Sequence, residues 1–300
     1  MKVLIILNPA SGKNATEPIR DVISHQFAHS KIDFEIYESK KEDNLGDIVR
    51  ARLKDGFELV VAVGGDGTVS AVIDGLVGTR IPLGIIPSGT ANLLAYDLKI
   101  PLSIEDAVAL ITGPHDIKKI DTIRINKRVY DLNVSLGVSA AVVSNTTPKN
   151  KSRFGLFAYV WMTIIKLFTL KGHYFVVTVD GETLKYRAAE IAIFNCGIIA
   201  NTLYPKGPDI RVDDGHLDVW VMSSKTIQDY PWYLLQMITR RPAKHLSHFT
   251  IAEKKVSIKS DVPLPVQADG DIIGTTPVEI EVLAGVIDMI VAEKPVVAKQ

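Results

Sequence analysis

Three polar, glycine-rich loops hold the residues of this chain best suited to bind a polyphosphate. The strongest is GGDGT at residues 64–68, which follows the apolar run 59–63 and precedes a stretch with helical spacing at 69–76. Glycines let a backbone approach phosphate oxygens closely, and a helix that begins there points its free amides at the anion. Asp66 would then serve a magnesium ion or the transferred proton, unless the segment is only a tight turn with a capping aspartate.

Two further loops of the same kind follow other apolar runs. NPASGK occupies residues 8–13 after the run 2–7, and PSGTAN occupies residues 87–92 after the run 83–86. Any one of them could be a simple Gly/Pro turn. Because open α/β sheets bind ligands at the carboxyl ends of their parallel strands, the three loops together predict one site. The sequence contains neither a P-loop motif nor a GxGxxG motif that opens a helix, so the common nucleotide fingerprints do not apply.

A pair of aspartates near the end of the chain, Asp269 and Asp271, could supply a base. Phosphoryl transfer needs the γ-phosphate held, its charge neutralised and the acceptor hydroxyl aligned beside a carboxylate. In an extended segment two side chains at this spacing would lie on one face, whereas a tight turn would separate them. The spacing alone does not choose between Asp269 and Asp271.

The first 120 residues alternate short apolar runs with amphipathic stretches, which would position the three loops. Helical spacing is found at 45–53 and at 104–111, where Ser103 is a predicted N-cap. Three of the apolar runs are almost continuously apolar, as strands covered on both faces are. This part therefore predicts a parallel sheet with helices on both sides. The predicted strands are residues 2–7, 34–37, 59–63 and 83–86.

From residue 119 onward the pattern changes to strands with hairpin signals, interrupted by a predicted helix at 230–238. We expect an α/β domain at 1–120 that binds the nucleotide, and an antiparallel β-sandwich domain at 121–287 that binds the acceptor. The segment 288–300 is a candidate to return to the first domain. The strands predicted in this half are residues 122–135, 174–179, 189–195, 217–222, 255–258, 278–282 and 287–291.

Charge and cysteine content limit the partners and the location. The chain has 300 residues with 34 basic and 34 acidic side chains, so its net charge predicts no nucleic-acid partner and only local attraction to a membrane. A single cysteine, Cys196, and a first segment without a signal-peptide pattern favour the cytoplasm. The apolar run 154–170 contains Lys166 and is shorter than the roughly 20 residues of a membrane span, which favours a buried or lipid-touching helix.

The set NPxSGK, GGDGT, PxGTxN and a late DG[ED] resembles the diacylglycerol kinase catalytic family, which includes sphingosine and ceramide kinases and bacterial lipid kinases. GGDG alone is shared with NAD kinases and phosphofructokinases. The loop at Asn8 and the late Asp269–Asp271 segment favour the lipid branch. The resemblance implies transfer of the γ-phosphoryl group of ATP to a hydroxyl of a lipid or lipid-like acceptor, with Mg²⁺ and with peripheral membrane contact during turnover. A homodimer is compatible with the sequence.

The resemblance also implies residue roles. Asp271 stands where the family usually has Glu and would take the proton of the acceptor hydroxyl. The carboxylate of Asp214, with the backbone carbonyls of Arg211 and His216, would hold a structural magnesium, and such an all-oxygen set suits this cation. From the residues alone, 213–215 is a β-turn. The implied ATP contacts are Asn8, Pro9, Ala10, Ser11, Gly12, Ser39, Gly65, Asp66, Gly67, Thr68, Val69, Ser70, Ala71 and Thr90.

Two departures from the family pattern bear on the function. Leu93 and Leu94 follow GTAN where the family commonly has Asp, and Ala71 replaces a frequent Glu. We expect Leu93 and Leu94 to make the acceptor end less polar, with an apolar groove around Phe157 and Trp161. Ala71 is expected to remove one polar contact near the nucleotide. The alternatives are an NAD kinase-like enzyme, which would phosphorylate a ribose hydroxyl, and a nucleotide-binding sensor without catalysis.

Overall fold

A computed structural model of the protein describes residues 1–11, 16–144, 172–198, 209–223 and 246–293. Its first part is a parallel sheet with the strand order β2-β1-β3-β4. The three strands that are almost continuously apolar are almost completely buried, whereas the edge strand β2 alternates between exposed and half-buried residues. The strands are β1 (Lys2–Leu7), β2 (Asp33–Glu38), β3 (Leu59–Gly64) and β4 (Leu83–Pro87).

Helices cover both faces of this sheet. Val3 and Ile5 of β1 pack with α1 and α5 in one core, and Leu4 and Ile6 pack with α2 and α3 in another. This alternation follows from the two-residue period of a strand. The predicted cap of α5 is present, since the Ser103 hydroxyl accepts from the backbone N–H of Asp106. The helices are α1 (Thr16–His29), α2 (Leu45–Arg52), α3 (Asp66–Leu76), α4 (Leu93–Asp97) and α5 (Ile104–Thr112).

The second part is mainly antiparallel, and its buried apolar residues form a separate core between its strands. The predicted fold class, α/β followed by an all-β sandwich, is confirmed. Its elements are β5 (Asp116–Ile125), β6 (Arg128–Tyr130), β7 (Asn133–Gly137), α6 (Val138–Ser144), β8 (His173–Val179), β9 (Glu182–Phe194), β10 (Leu217–Ser223), β11 (Ser247–Ala252), β12 (Lys255–Ser260), β13 (Pro265–Ala268), β14 (Asp271–Thr275) and β15 (Val278–Val291).

Several predicted strand boundaries were wrong. The run 122–135 is divided among β5, β6 and β7, and the break between β5 and β6 is a turn at Asn126, whose φ is 56°. The runs 278–282 and 287–291 belong to one strand, β15, whose register shifts between Leu283 and Ile287. The sequence did not predict β11, β13 or β14. The apolar run 154–170 and the predicted helix 230–238 lie outside the described residues.

Strand β15 joins the two parts into one hydrogen-bonded sheet. Ile280 pairs with Val256 of β12, and further along the strand Met289 pairs in parallel with Leu83 of β4. The division at residue 120 and the return of 288–300 stay predictions, since the two parts share this sheet. Within the described ranges, no helix combines the length and apolar character that a membrane span requires.

Candidate active site

A cleft of about 700 Å³ lies between the loops that follow β1, β2, β3 and β4 and the region of β6 and the β13–β14 turn. It is therefore bordered by both halves of the chain. Most of the predicted contact residues line it. These are Asn8, Ala10, Ser11, Ser39, Gly65, Gly67, Thr68, Ser70, Ala71, Thr90 and Asp271.

Hydrogen bonds connect the three glycine-rich loops to one another. The Asn8 side-chain amide donates to the Thr68 hydroxyl at 2.9 Å, and the hydroxyls of Ser11 and Ser88 lie 2.7 Å apart. Gly65 and Gly89 approach so closely that a Cβ on Gly89 would collide with the Cα of Gly65. The loops thus form one continuous surface, as the sequence predicted from their places at strand ends.

The N-terminus of α3 faces this surface. The helix begins at Asp66, and Gly65 and Gly67 on either side of it line the cleft. The helix dipole places partial positive charge at this end, where backbone amides favour an anion. The geometry therefore suits a phosphate group beside Gly65 and Gly67.

Asp66 itself points toward α4 and does not line the cleft. Its carboxylate accepts a 2.6 Å hydrogen bond from the backbone N–H of Leu93, and burial raises the pKa of this carboxyl. In this conformation Asp66 connects the GGDGT loop to the loop after β4. Pro9 is exposed outside the cleft lining, Val69 is buried in the core beneath α3, and Gly12 lies outside the described residues.

The two aspartates near the end of the chain are separated by a tight turn. Asp269 and Gly270 have φ angles of 47° and 88°, and β14 begins at Asp271. The Asp269 carboxylate accepts from the Ser70 hydroxyl at 2.8 Å and from three backbone N–H groups at 3.0–3.1 Å. Those amides belong to residues 131–133. Asp271 is exposed and lines the cleft, so its carboxylate is the more accessible of the two.

Asp131, which the sequence analysis missed, is completely buried beside this turn. Its exposed fraction is 0%, and neither carboxylate oxygen meets a hydrogen-bond partner among the described residues. Burial raises the pKa of Asp131 well above its usual value, and the nearby charge of Asp269 raises it further. The nearby Ser70 hydroxyl offsets part of this shift, although its own hydrogen bond is donated to Asp269. Burial and the charge of Asp269 thus act in the same direction on the pKa of Asp131.

The predicted magnesium turn lies elsewhere, next to β5. Burial raises the pKa of Asp214, the charge of His216 lowers it, and the carboxylate of Asp121 raises it again. Asp121 is 2% exposed and accepts from the backbone N–H groups of Gly215 and Gly285, each at 2.7 Å. A hard cation would relieve the repulsion between these carboxylates, so the oxygen-rich turn fits the predicted ion.

No motif marked Asp121 in the sequence, because long-range packing is what brings it to the turn. Its partners Gly215 and Gly285 are distant in the chain. Among the described residues, no three His, Cys, Asp or Glu side chains form a group that could hold a metal. The set of Asp214 with the carbonyls of Arg211 and His216 therefore stays a prediction.

Leu93 and Leu94 do not line the cleft, contrary to our expectation that they would shape its acceptor end. Leu94 is 1% exposed, and Leu93 packs against the same core of the first part. Ala71 does line the cleft, as expected. Leu93 contributes its backbone N–H to Asp66 instead.

Comparisons with known proteins match both parts of the chain. The family model described as diacylglycerol kinase catalytic domain matches residues 2–125. The model described as YegS C-terminal NAD kinase beta sandwich-like domain matches residues 132–291, which is more than half of the chain. The predicted family resemblance is therefore confirmed over nearly the whole length.

Individual relatives agree with these matches. An uncharacterized protein from Synechocystis is 29% identical, over 93% of this chain and 67% of that protein. A diacylglycerol kinase from Staphylococcus carnosus is 26% identical, over 91% of this chain and 89% of that protein. The crystal structure of a diacylglycerol kinase from Bacillus anthracis superimposes with a TM-score of 0.79 at 26% identity, covering 99% of this chain and 98% of that one. The chain thus belongs to the diacylglycerol kinase catalytic family and is an ATP-dependent lipid kinase.

Proposed function

We propose that this lipid kinase binds ATP in the cleft and uses Asp271 as the general base toward the acceptor hydroxyl. The observation that carries the proposal is that the two aspartates at the β13–β14 turn have different surroundings. Four donors occupy the carboxylate of Asp269, whereas Asp271 is exposed in the same cleft as Gly65 and Gly67. A base must reach the proton that it takes, and Asp271 has that access.

The nucleotide phosphates are proposed to lie over Gly65, Gly67 and the N-terminus of α3. Asn8 and Thr68, which bond to each other, hold the neighbouring loops in place. Ser39 and Thr90 line the cleft and are candidates for further contacts with ATP. Positioning of this kind supplies much of the catalysis in phosphoryl transfer, because the reaction needs little covalent help.

Magnesium bound with the nucleotide would neutralise phosphate charge, and Asp66 remains our candidate to serve it. The carboxylate now accepts from the backbone N–H of Leu93, so this role requires Asp66 to share that bond or to leave it. A second, structural magnesium is proposed at Asp214, with Arg211 and His216 as carbonyl donors. The raised pKa of Asp214 beside Asp121 supports a cation at that turn.

The acceptor is proposed to be a lipid alcohol with an apolar tail, and diacylglycerol is the first candidate because a relative carries that name. A tail must leave water, which requires apolar surface near the membrane. Leu184 and Ile251 are 56% and 50% exposed and border a cavity of about 200 Å³ in the β-rich half. They support peripheral membrane contact. The groove predicted around Phe157 and Trp161 lies outside the described residues.

An acceptor panel tests this function. The protein is incubated with ATP labelled in the γ-phosphoryl group, Mg²⁺ and one acceptor at a time: diacylglycerol, a sphingoid base, phosphatidylglycerol or NAD. We expect label in a lipid product. Label in NADP would instead support the NAD kinase-like alternative, and ATP binding without any product would support the sensor.

A further inference from the structure

Glu190 of β9 is a buried carboxylate that the proposed reaction does not use. It is 5% exposed and lies opposite Gly137 of β7 and Met222 of β10. Its Oε2 accepts from the backbone N–H of Ser139 at 3.0 Å, and its Oε1 bonds to the Ser139 hydroxyl. Gly137 has a φ of 110°, and a Cβ there would lie 3.0 Å from Oε2 of Glu190. The backbone therefore leaves room for this carboxylate.

An unbroken chain of hydrogen bonds runs from Glu190 to the turn before Asp271. The hydroxyls of Ser139 and Ser135 lie 2.5 Å apart, and Ser135 accepts from the side-chain amide of Gln267 at 2.6 Å. The Gln267 carbonyl oxygen accepts from the backbone N–H of Gly270 at 2.9 Å. Gly270 is the residue between Asp269 and Asp271.

The ionised form of Glu190 gives every donor in this chain an acceptor. Ser139 then donates to the carboxylate, Ser135 donates to Ser139, and Gln267 donates to Ser135. The Gln267 oxygen stays free to accept from Gly270. All four bonds point the same way, so the amide of Gln267 has one fixed orientation.

A proton on Glu190 reverses this order. Its hydroxyl would donate to Ser139, and Ser139 would donate to Ser135. Ser135 would then accept from both Ser139 and Gln267, and its own hydroxyl proton would have no acceptor in this series of hydrogen bonds. If the Gln267 amide rotates to accept from Ser135, its NH₂ group meets the N–H of Gly270. A buried donor left without an acceptor is costly, so the reversal loosens the turn.

We propose that Glu190 is a positioning residue, which holds the Asp271 turn through Ser139, Ser135 and Gln267 when its carboxylate is ionised. The inference rests on the proposed role of Asp271 as base. It adds a residue in a different strand that controls the orientation of that base.

The reversal falls within an accessible pH range. Burial raises the pKa of Glu190 to about 8, and hydrogen bonds from Ser139 and Val138, together with the nearby Ser135 hydroxyl, offset part of the shift. These groups, which face it from β7 and α6, are neutral, and so is Met222 on β10. Glu190 is therefore mainly neutral at pH 6.5 and mainly ionised at pH 9.

Kinetics of the isosteric variant Glu190→Gln provide the first test. Its amide must accept from the Ser139 N–H and donate to the Ser139 hydroxyl, which imposes the reversed order at every pH. With diacylglycerol in mixed micelles, we expect the ratio of wild-type to Glu190→Gln kcat to be near 1 at pH 6.5 and on the order of 10 at pH 9. The KM for ATP should stay within about twofold of wild type, because the nucleotide contacts are unchanged.

Two further variants separate the relay from a general effect on packing. Ser139→Ala cuts the chain, so Ser139→Ala/Glu190→Gln should match Ser139→Ala alone. The matched control is Asp218→Asn, because Asp218 is another buried acid and lies on the neighbouring strand β10. The ratio of wild-type kcat to Asp218→Asn kcat should stay near 1 at both pH values. A kcat ratio that does not change with pH, or additive effects of Ser139→Ala and Glu190→Gln, would overturn the proposal.

Amide exchange tests the relay without any turnover. The exchange of the Gly270 N–H should be faster in Glu190→Gln than in wild type at pH 9, whereas that of Gly215, which bonds to Asp121, should not change. Equal exchange at Gly270 would contradict the relay. An active Asp271→Asn enzyme would refute the proposed base instead, and the positioning role with it, whatever Glu190→Gln does.

Discussion

The Ser70 hydroxyl donates a 2.8 Å hydrogen bond to the carboxylate of Asp269, which lies 199 positions later in the chain. Ser70 belongs to α3, whose N-terminus faces the proposed phosphate site, and Asp269 belongs to the turn that carries Asp271. This bond therefore links the proposed nucleotide side of the cleft to the proposed acceptor side. It fixes how far the proposed base lies from the proposed phosphate site.

Ser70→Ala should weaken that link. Asp269 would lose one of its four donors, and we expect the free energy of unfolding to fall by about 1–2 kcal/mol. The kcat should fall as well, because the distance between base and phosphate is no longer fixed. Urea unfolding and steady-state kinetics measure the two effects.

Ser103→Ala is the matched control for this variant. It removes the N-cap of α5 and costs a similar free energy, but it lies outside the cleft. If Ser103→Ala lowers kcat as much as Ser70→Ala does, the loss reflects stability alone and the link has no special role.

Asp131→Asn should stabilise the protein, increasingly so at higher pH. The pKa of Asp131 is raised in the folded state. Its contribution to the free energy of unfolding is therefore complete below the unfolded pKa of about 3.9 and is lost as pH rises through the folded pKa. Asparagine does not titrate. Unfolding by urea at pH 4 and pH 7 should therefore show a gain for Asp131→Asn that is larger at pH 7.

Asp33→Asn is the control, because Asp33 is an exposed aspartate on the edge strand β2. A gain for Asp131→Asn of equal size at both pH values would contradict the buried-carboxyl explanation. A loss at pH 7 would mean that the charge of Asp131 is itself stabilising in the folded protein.

Chelation should lower the melting temperature if magnesium binds at the Asp214 turn. A ligand that binds only the folded state stabilises it by mass action, so excess EDTA should shift the melting temperature down by a few degrees. Asp214→Ala should abolish this sensitivity. An equal shift in Asp214→Ala and wild type would place the responsible ion elsewhere.

The sequence predicted the parts of the site that depend on local pattern. GGDGT, NPASGK and PSGTAN could be placed together because each follows a buried parallel strand, and such strands end at one edge of a sheet. Strands β13 and β14 were missed, since both are short, Gly270 lies in the turn between them and Gly274 lies within β14. Gly285 interrupts the apolar pattern of β15, which is why one strand was predicted as two.

The buried acids could not be predicted in the same way. Asp131 and Glu190 are both buried, yet no motif marks either of them in the sequence. The strands that cover Glu190, β7 and β10, are distant from it in sequence. The relative placement of Asp269 and Asp271 also needed the structure. Their spacing allowed two arrangements, and only the positive φ angles of Asp269 and Gly270 show that a turn separates them.

The kcat of Asp271→Asn tests the central claim most directly. With saturating ATP and Mg²⁺ and with diacylglycerol in mixed micelles, we expect kcat to fall by about 10²–10⁴-fold while ATP binds with unchanged affinity, because a base on the acceptor side acts on the hydroxyl alone. Asp271→Glu, which keeps the carboxylate, should retain a substantial part of the activity. Normal turnover by Asp271→Asn would contradict the account.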